Sequence, residues 1–273
     1  MILKFKVENE VTIKEYLSNH ITQRLLKLLS ATPNSFYVNN QNVKNYYVLK
    51  PNDVLEVVIP SIESSHIIPT NKKFEILYED EYLLIINKER DVASIPTRNH
   101  YEHSLANHVK SYYLQKGINA GIHFVNRLDF ATSGIIVVAK CIYIADCMKE
   151  AIKTKKYLLC VHGVINENGE IISGIEKCQD SIIKRTTNNL SNAITKYNVL
   201  KQEEDKTLVE ATLITGKTHQ LRVHFSSFNH PILGDKLYGA DQYDYLHLHS
   251  YYLEFIHPVT KKRVEIISYP DWY

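Results

Sequence analysis

Side chains that could do acid–base or nucleophilic chemistry are concentrated in residues 126–134, immediately before an apolar run at residues 135–139. Asp129 lies two residues after Arg127, and a loop that enters a buried strand can project such a carboxylate into a cleft. This placement suits a catalytic base or nucleophile. Taken alone, however, a plain turn is the stronger interpretation, because Asp, Thr, Ser and Gly are common turn formers.

A second cluster of special residues covers residues 215–224 and continues at 230–239. Gly216-Lys217-Thr218 suggests a phosphate-binding loop, but the glycine required five positions earlier is replaced by Ala211, so we reject nucleoside triphosphate binding. Six of the thirteen histidines lie between residues 219 and 257, yet no His-Glu-x-x-His or Cys-x-x-Cys motif accompanies them. We therefore expect no metal site.

Several motifs in order along the chain resemble those of the RluA-type pseudouridine synthases, and in particular the RluD-like large-subunit ribosomal enzymes. The resemblance covers about residues 73–270, and several motifs in the right order are more specific than any one of them. The matching segments are Arg127-Leu128-Asp129-x-x-Thr132-Ser133-Gly134, Lys156-Tyr157-Leu158-Leu159, Ala193-Ile194-Thr195-Lys196-Tyr197, residues 215–224, His230-Pro231 to Gly239, and Leu246-His247 to His257-Pro258.

This resemblance implies an isomerase that converts uridine in structured RNA to pseudouridine, with no cofactor and no metal. The C–N glycosidic bond breaks with positive charge on the sugar, which a carboxylate can stabilise or trap, and the base is rejoined through carbon. Asp129 aligns with the family's catalytic aspartate, and its role as a nucleophile or as a helper in proton removal stays open. Large-subunit ribosomal RNA is the expected target, with transfer RNA as an alternative.

The matched motif positions also assign roles to other residues. Arg222 matches the partner arginine, whose planar fork is expected to meet Asp129 through two parallel hydrogen bonds and to keep it ionised. Tyr157 matches the tyrosine that stacks on the extruded base, and Arg127 matches the residue that fills the vacated space. The expected catalytic residues are thus Asp129, Tyr157 and Arg222, and substrate contacts are implied for Arg127, Thr132, Lys217, His219 and Gln220.

The elements that must position these residues form an α+β fold, with a mixed and largely antiparallel sheet and flanking helices. Ser104 begins a helix that Gly117 ends, and a second amphipathic helix follows Lys140. Consecutive strands without helices between them favour antiparallel pairing. Strands are predicted at residues 81–87, 134–140, 156–162, 193–200, 208–215, 253–256 and 264–268.

Residues 1–60 are predicted to form a small separate α/β unit, joined by a polar linker at 61–72 to a catalytic domain at 73–273. Apolar positions at helical spacing predict one helix over residues 12–29. The unit resembles a degenerate alpha-L, or S-four-type, RNA-binding domain, most clearly at residues 50–57. The resemblance therefore implies a second contact with RNA.

The composition limits the classes of protein to which the chain can belong. Its 273 residues are 44% hydrophobic and 23% charged, as in a globular protein. Its longest apolar stretches are about five residues, too short for a membrane span or a signal peptide, so we expect a cytoplasmic protein without a membrane partner. The net charge of +2 requires any RNA-binding surface to be local. The four cysteines are expected to be reduced, and nothing demands more than a monomer.

Three positions depart from the family's usual pattern. Asn126 replaces a histidine and cannot carry charge, Lys217 replaces an arginine and loses a bidentate grip on phosphate, and residues 89–92 replace a Pro-Gly turn. The catalytic residues named above are intact, so we expect an active enzyme. The alternatives are an RNA-binding or ribosome-assembly factor with little activity on the same fold, and a metal-dependent hydrolase built on the histidine-rich stretch.

Overall fold

A small N-terminal unit precedes a large sheet domain in the computed structural model, which describes residues 1–60, 64, 66–181, 183–239 and 243–273. Part of the predicted linker, at residues 61–63 and 65, lies outside the described residues. The N-terminal elements are β1 (Ile2–Lys6), β2 (Val11–Thr12), α1 (Ile13–Ser18), α2 (Gln23–Ala31), β3 (Phe36–Val38), β4 (Gln41–Asn42), β5 (Val48–Leu49) and β6 (Val54–Val58). Those of the large domain are β7 (Glu75–Glu79), β8 (Leu83–Lys88), α3 (Leu105–Lys116), β9 (His123–Phe124), β10 (Ser133–Ala139), α4 (Ile142–Ala151), β11 (Ile152–His162), β12 (Gly169–Lys177), β13 (Arg185–Gln202), β14 (Lys206–Leu213), α5 (Gln220–Ser227), β15 (Leu248–Ile256) and β16 (Arg263–Ile267).

The N-terminal unit packs two short helices against a sheet with strand order β1-β6-β3-β4. The single helix predicted over residues 12–29 is wrong, since the chain forms α1 and α2 with a break between Ser18 and Gln23. The side chain of Thr22 accepts a hydrogen bond from the backbone N–H of Leu25 and begins α2. A threonine that caps a helix in this way favours a helix start over a helix interior.

A ten-stranded sheet forms the large domain within the described residues, and it confirms the predicted α+β fold. Its main path is β12-β13-β14-β11-β15-β10-β8-β7, with β16 paired to β15 and β9 paired to β10. All neighbouring pairs are antiparallel except β10 and β15, which are parallel. The strand predicted to extend to residue 215 ends at Leu213, and the unpredicted helix α5 follows it.

Strand β10 is buried on both of its faces. Ile136 and Val138 enter a core that also contains residues of α3 and α5, whereas Ile135 and Val137 enter a core that contains residues of α4. Side chains alternate between the two faces of a strand, so a strand covered on both faces is apolar throughout. This position explains the apolar run that the sequence shows after the Asp129 segment. No helix among the described residues has the length and apolarity to cross a membrane.

The N-terminal unit rests against the start of α4. Ile142 of α4 is buried within the core of the N-terminal unit, and the hydroxyl of Thr22 donates to Oδ2 of Asp146 at 2.6 Å. The described part of the predicted linker is also packed, because the side chain of Ser64 accepts from the backbone of Ile122 and Ile67 lies in the large core. The described part of the linker is therefore packed against the large domain.

Gly134 allows a close approach between the two parallel strands. Its φ is +110°, and a Cβ there would lie 2.3 Å from the backbone oxygen of Ser250 on β15. Ser250 is paired with Gly134 on one side and with Tyr157 of β11 on the other. The glycine thus allows β10 to pair closely with β15, which in turn pairs with β11, beside the residues expected to act in catalysis.

Candidate active site

A cleft of about 660 Å³ opens where the Asp129 loop, β11 and the loop after β14 meet. It brings together most of the predicted site residues, although they are far apart in sequence. The residues that line it include Arg127, Asp129, Lys155, Tyr157, Lys217 and His219.

Three hydrogen bonds hold the loop that carries Asp129. The hydroxyl of Ser94 donates to the carbonyl of Leu128 at 2.9 Å, and Nζ of Lys88 donates to the carbonyl of Phe130 at 3.1 Å. The backbone N–H of Thr132 donates to the carbonyl of Asp129 at 3.1 Å. The backbone on both sides of Asp129 is therefore fixed, and no described residue donates a hydrogen bond to its carboxylate. The Asp129 side chain is 29% exposed, so its carboxylate is accessible to a substrate in the cleft.

Asn126 attaches the same loop to β10. Its Nδ2 donates to the carbonyl of Ile135 at 3.2 Å, and its Oδ1 accepts from the N–H of Val137 at 2.8 Å. An asparagine amide satisfies both backbone groups without carrying charge. The departure from the family's histidine therefore leaves the loop anchored.

Lys88 is a buried lysine beside the site, and the sequence did not identify it as a site residue. It is 1% exposed, and its Nζ donates to three carbonyls, those of Glu89, Val92 and Phe130. Burial lowers the pKa of Lys88 to about 7, although the negative charge of Asp129 opposes this shift. Its one signal in the sequence was a lysine at the end of an apolar strand.

The fork of Arg222 points to Asp235, which corrects the expectation that it binds Asp129 bidentately. Its Nε and Nη2 donate to the two carboxylate oxygens of Asp235 at 2.8 and 2.7 Å. The remaining nitrogen, Nη1, lies 3.9 Å from Oδ2 of Asp129. Burial opposes the charged form, but the hydrogen bonds to Asp235 raise the pKa of Arg222. A permanent positive charge therefore faces the cleft carboxylate, held by a partner that the sequence analysis did not select.

His219 supplies the second nitrogen that faces Asp129. Its Nε2 lies 3.8 Å from Oδ2 of Asp129, and its Nδ1 lies 2.8 Å from the hydroxyl of Tyr238. The residue has a φ of +58°, a conformation that few residues other than glycine adopt. Burial lowers the pKa of His219, while the charge of Asp129 acts in the opposite direction.

Two residues expected to contact the substrate have other positions. Gln220 is 2% exposed, and its side chain binds the hydroxyl of Thr215 and the backbone N–H of Lys217. It therefore shapes the loop that carries Lys217 and His219 instead of facing the cleft. Thr132 is also buried and does not line the cleft, and its backbone N–H donates to the carbonyl of Asp129 just before β10 begins.

Tyr157 reaches the cleft from β11 with its ring buried. Burial raises the pKa of Tyr157 to about 12, and the nearby charge of Asp129 adds to this rise. The hydroxyl therefore stays protonated at neutral pH and can donate or hold a proton. Its flat ring is suited to stacking on a base.

The rim of the cleft is basic, although the whole chain is nearly neutral. Arg127 and Lys217 are exposed and line the cleft. Lys155 lines it from β11, and burial lowers the pKa of Lys155. These side chains supply the local positive patch that the sequence analysis required of an RNA-binding surface.

The histidine-rich stretch is dispersed in space. In the ranges that the structure describes, no group of three or more His, Cys, Asp or Glu side chains could hold a metal ion. His219 faces the cleft, whereas His249 bonds to Ser133 and to the carbonyl of Ser268. The four cysteines are free thiols.

Comparison with known proteins gives a family match and several similar relatives. A model of the RNA pseudouridylate synthase family matches residues 82–227. The uncharacterised RNA pseudouridine synthase YjbO of Bacillus subtilis is 38% identical over 264 residues, which cover 93% of this chain and 93% of that protein. The ribosomal large subunit pseudouridine synthase C of Buchnera aphidicola is 30% identical, with 86% of this chain and 82% of that protein covered.

Among solved structures, human RNA pseudouridylate synthase domain containing 1 aligns with a TM-score of 0.61 at 26% identity. The alignment covers 74% of this chain and 85% of the human chain. The residues that the family model matches, 82–227, lie in the sheet domain and include residues that line the cleft. This chain therefore belongs to the RNA pseudouridylate synthase family, whose members are isomerases that act on RNA.

Proposed function

We propose that this chain isomerises uridine in large-subunit ribosomal RNA and that Asp129 is the carboxylate acting on the substrate. The observation that carries the assignment is the position of Asp129 in the cleft. One of its oxygens faces both His219 at 3.8 Å and Arg222 at 3.9 Å. Relatives named as ribosomal large subunit synthases support the choice of target.

The reaction requires one bond to break and one to form at the same sugar carbon. The C1′–N1 bond breaks, the uracil turns, a C1′–C5 bond forms, and the proton on C5 leaves while N1 gains one. No electrons are gained or lost overall. Positive charge develops on the sugar, and the carboxylate of Asp129 stabilises it, whether by a covalent bond or by charge alone.

Arg222 places a permanent positive charge 3.9 Å from this carboxylate, where the two opposite charges attract. Because two of its nitrogens are bound to Asp235, the third is directed at Asp129 without a search among rotamers. The geometry at 3.9 Å leaves Asp129 able to move toward the sugar. Arg222 is thus assigned to electrostatic support.

Tyr157 and Arg127 are assigned to the uridine itself. A uridine stacked in RNA must be extruded before its C1′ can reach the cleft, at a cost of a few kcal/mol. Arg127, whose side chain is exposed and lines the cleft, then fills the vacated space. The ring of Tyr157 inside the cleft then stacks on the base, and its protonated hydroxyl serves proton transfer.

Residues 1–60 are assigned a supporting role in RNA binding, as a degenerate S-four-type domain joined at 61–72 to the catalytic domain. The unit has its own core, and Arg24 and Lys27 lie exposed on α2. Its basic and acidic residues are nearly balanced, so any attraction for RNA depends on where the cations lie and not on their number.

Tritium release from RNA transcripts carrying C5-tritiated uridine tests the function, since the C5 proton leaves in the reaction. Wild type should release tritium from large-subunit ribosomal RNA, and Asp129→Asn should not, while it retains fold and RNA binding. Asp205→Asn, which changes an exposed carboxylate outside the cleft, is the matched control and should behave as wild type.

Each other outcome is informative. Turnover by Asp129→Asn at the wild-type rate refutes the catalytic assignment. Release from transfer RNA alone refutes the ribosomal target. Binding of RNA by wild type without release from any transcript favours the alternative of a binding or assembly factor on the same fold.

A further inference from the structure

Tyr238 joins the hairpin of β12 and β13 to the groups that face the cleft carboxylate. Its hydroxyl accepts a hydrogen bond from the backbone N–H of Arg185, the first residue of β13, at 2.9 Å. The same oxygen lies 2.8 Å from Nδ1 of His219. We propose that Tyr238 is a positioning residue, whose hydroxyl holds His219 with its Nε2–H directed at Asp129. This inference rests on the proposed function, in which Asp129 acts on the substrate.

The orientation of the protons follows from the partners of the imidazole. Because burial lowers the pKa of His219, the ring is neutral at pH 7 and has one donor and one acceptor nitrogen. A carboxylate faces Nε2, which places the proton there. Nδ1 is then the acceptor and takes the proton of the Tyr238 hydroxyl.

With this tautomer of His219, the contacts form a continuous chain of hydrogen-bond donors. The N–H of Arg185 donates to the oxygen of Tyr238, the hydroxyl of Tyr238 donates to Nδ1 of His219, and Nε2–H points at Asp129. Hydrogen bonds in such a chain polarise one another. The first residue of β13 is therefore connected to the cleft carboxylate through a single phenol oxygen.

Tyr238 also contacts the other group that faces Asp129. The guanidinium carbon of Arg222 lies 5.1 Å from the centre of the Tyr238 ring, within the range of a cation–π contact. The backbone N–H of Tyr238 donates to Oδ1 of Asp235, the carboxylate that binds Arg222. Both nitrogens near Asp129 thus depend on the placement of one tyrosine.

The end of the hairpin that carries Arg185 is in consequence linked to the groups that face Asp129. Arg185 is the first residue of β13, and Nζ of Lys184 lies 6.0 Å from the centre of the Tyr238 ring. Because the hydroxyl oxygen of Tyr238 accepts from the N–H of Arg185, a shift of this end of the hairpin would change that hydrogen bond.

Tyr238→Phe tests the proposal because it removes the hydroxyl and keeps the ring over Arg222. We expect kcat for tritium release to fall about fivefold to tenfold, as for one lost hydrogen bond, with KM within about twofold of wild type. Tyr251→Phe is the matched control, since Tyr251 donates its hydroxyl to Glu210 and does not line the cleft. Its kcat should stay within about twofold of wild type.

Nitrogen-15 resonances of the His219 ring, assigned by their loss in His219→Gln, report the tautomer directly. Wild type should show the proton on Nε2, and Tyr238→Phe should shift the Nδ1 resonance toward a mixture of tautomers. Unchanged resonances overturn the proposal, and so do shifted resonances with an unchanged kcat. If wild type isomerises no RNA, the proposed function fails, and the resonances alone decide whether Tyr238 holds His219.

Discussion

Replacing Asp235 with asparagine should both destabilise the protein and slow the reaction. The side chain of Asp235 is fully buried and binds Arg222 with both oxygens. Asparagine has the same shape but presents an NH₂ group to one of two N–H donors. The guanidinium then loses its buried counter-charge and its fixed direction toward Asp129.

The size of the effect follows from these contacts. Removing one partner of a buried ion pair costs about 3–5 kcal/mol, and a hydrogen bond to a charged group contributes about 1.5–3 kcal/mol. The amide oxygen can still accept from Nη2 of Arg222 and from the N–H groups of Leu237 and Tyr238, so we expect a loss near the lower limit, about 3 kcal/mol. For a chain of this size, that loss lowers Tm by roughly 6–12 °C.

Thermal unfolding followed by circular dichroism measures the stability, and tritium release by the same samples measures the activity. Asp205→Asn controls for a change of charge at the surface. A Tm for Asp235→Asn within about 2 °C of wild type would refute the reasoning about the buried pair. A wild-type kcat despite the lower Tm would show that Arg222 needs no fixed direction.

Two further predictions concern pH and salt. Burial lowers the pKa of His249 to about 4, so the stabilisation from keeping it neutral is complete above pH 6.5 and is lost as the pH falls toward 4. The loss is at most about 3 kcal/mol, and His249→Gln should flatten the decline of the unfolding free energy measured in urea between pH 6.5 and 5. Equal slopes in the two proteins would contradict this cause. Lys217→Gln, which removes an exposed cation at the cleft, should reduce the slope of log Kd for RNA against log salt by about one in filter binding. An unchanged slope would show that Lys217 meets no phosphate.

The fold class and most strands could be predicted because apolar runs and turn residues mark them locally. Helix α5 could not, since Leu221, Val223 and Phe225 alternate with polar residues in the pattern of a strand. The structure makes this segment helical after a left-handed turn at His219, supported by the buried side chain of Gln220. Tertiary contacts here outweigh the local period.

Motif position identified which residues gather at the cleft, but it could not separate those that face it from those that support it. Lys217 and His219 line the cleft, whereas Gln220 and Thr132 are buried and do not line it. The pairing of Arg222 with Asp235 was equally hidden, because it depends on how the chain turns after α5. Such partners follow from packing in three dimensions, and no local spacing encodes them.

The close approach at Gly134 also sets the distance between β10 and β15 beside the active site. Asp129 lies on the loop that leads into β10, and Tyr157 lies on β11. A single strand, β15, separates β10 from β11. Two strand spacings of roughly 4.8 Å each therefore fix the separation of these elements, independently of every loop at the rim. Any side chain at position 134 would push β10 away from β15 and so increase the distance between β10 and β11, which changes in the rim loops leave unaltered.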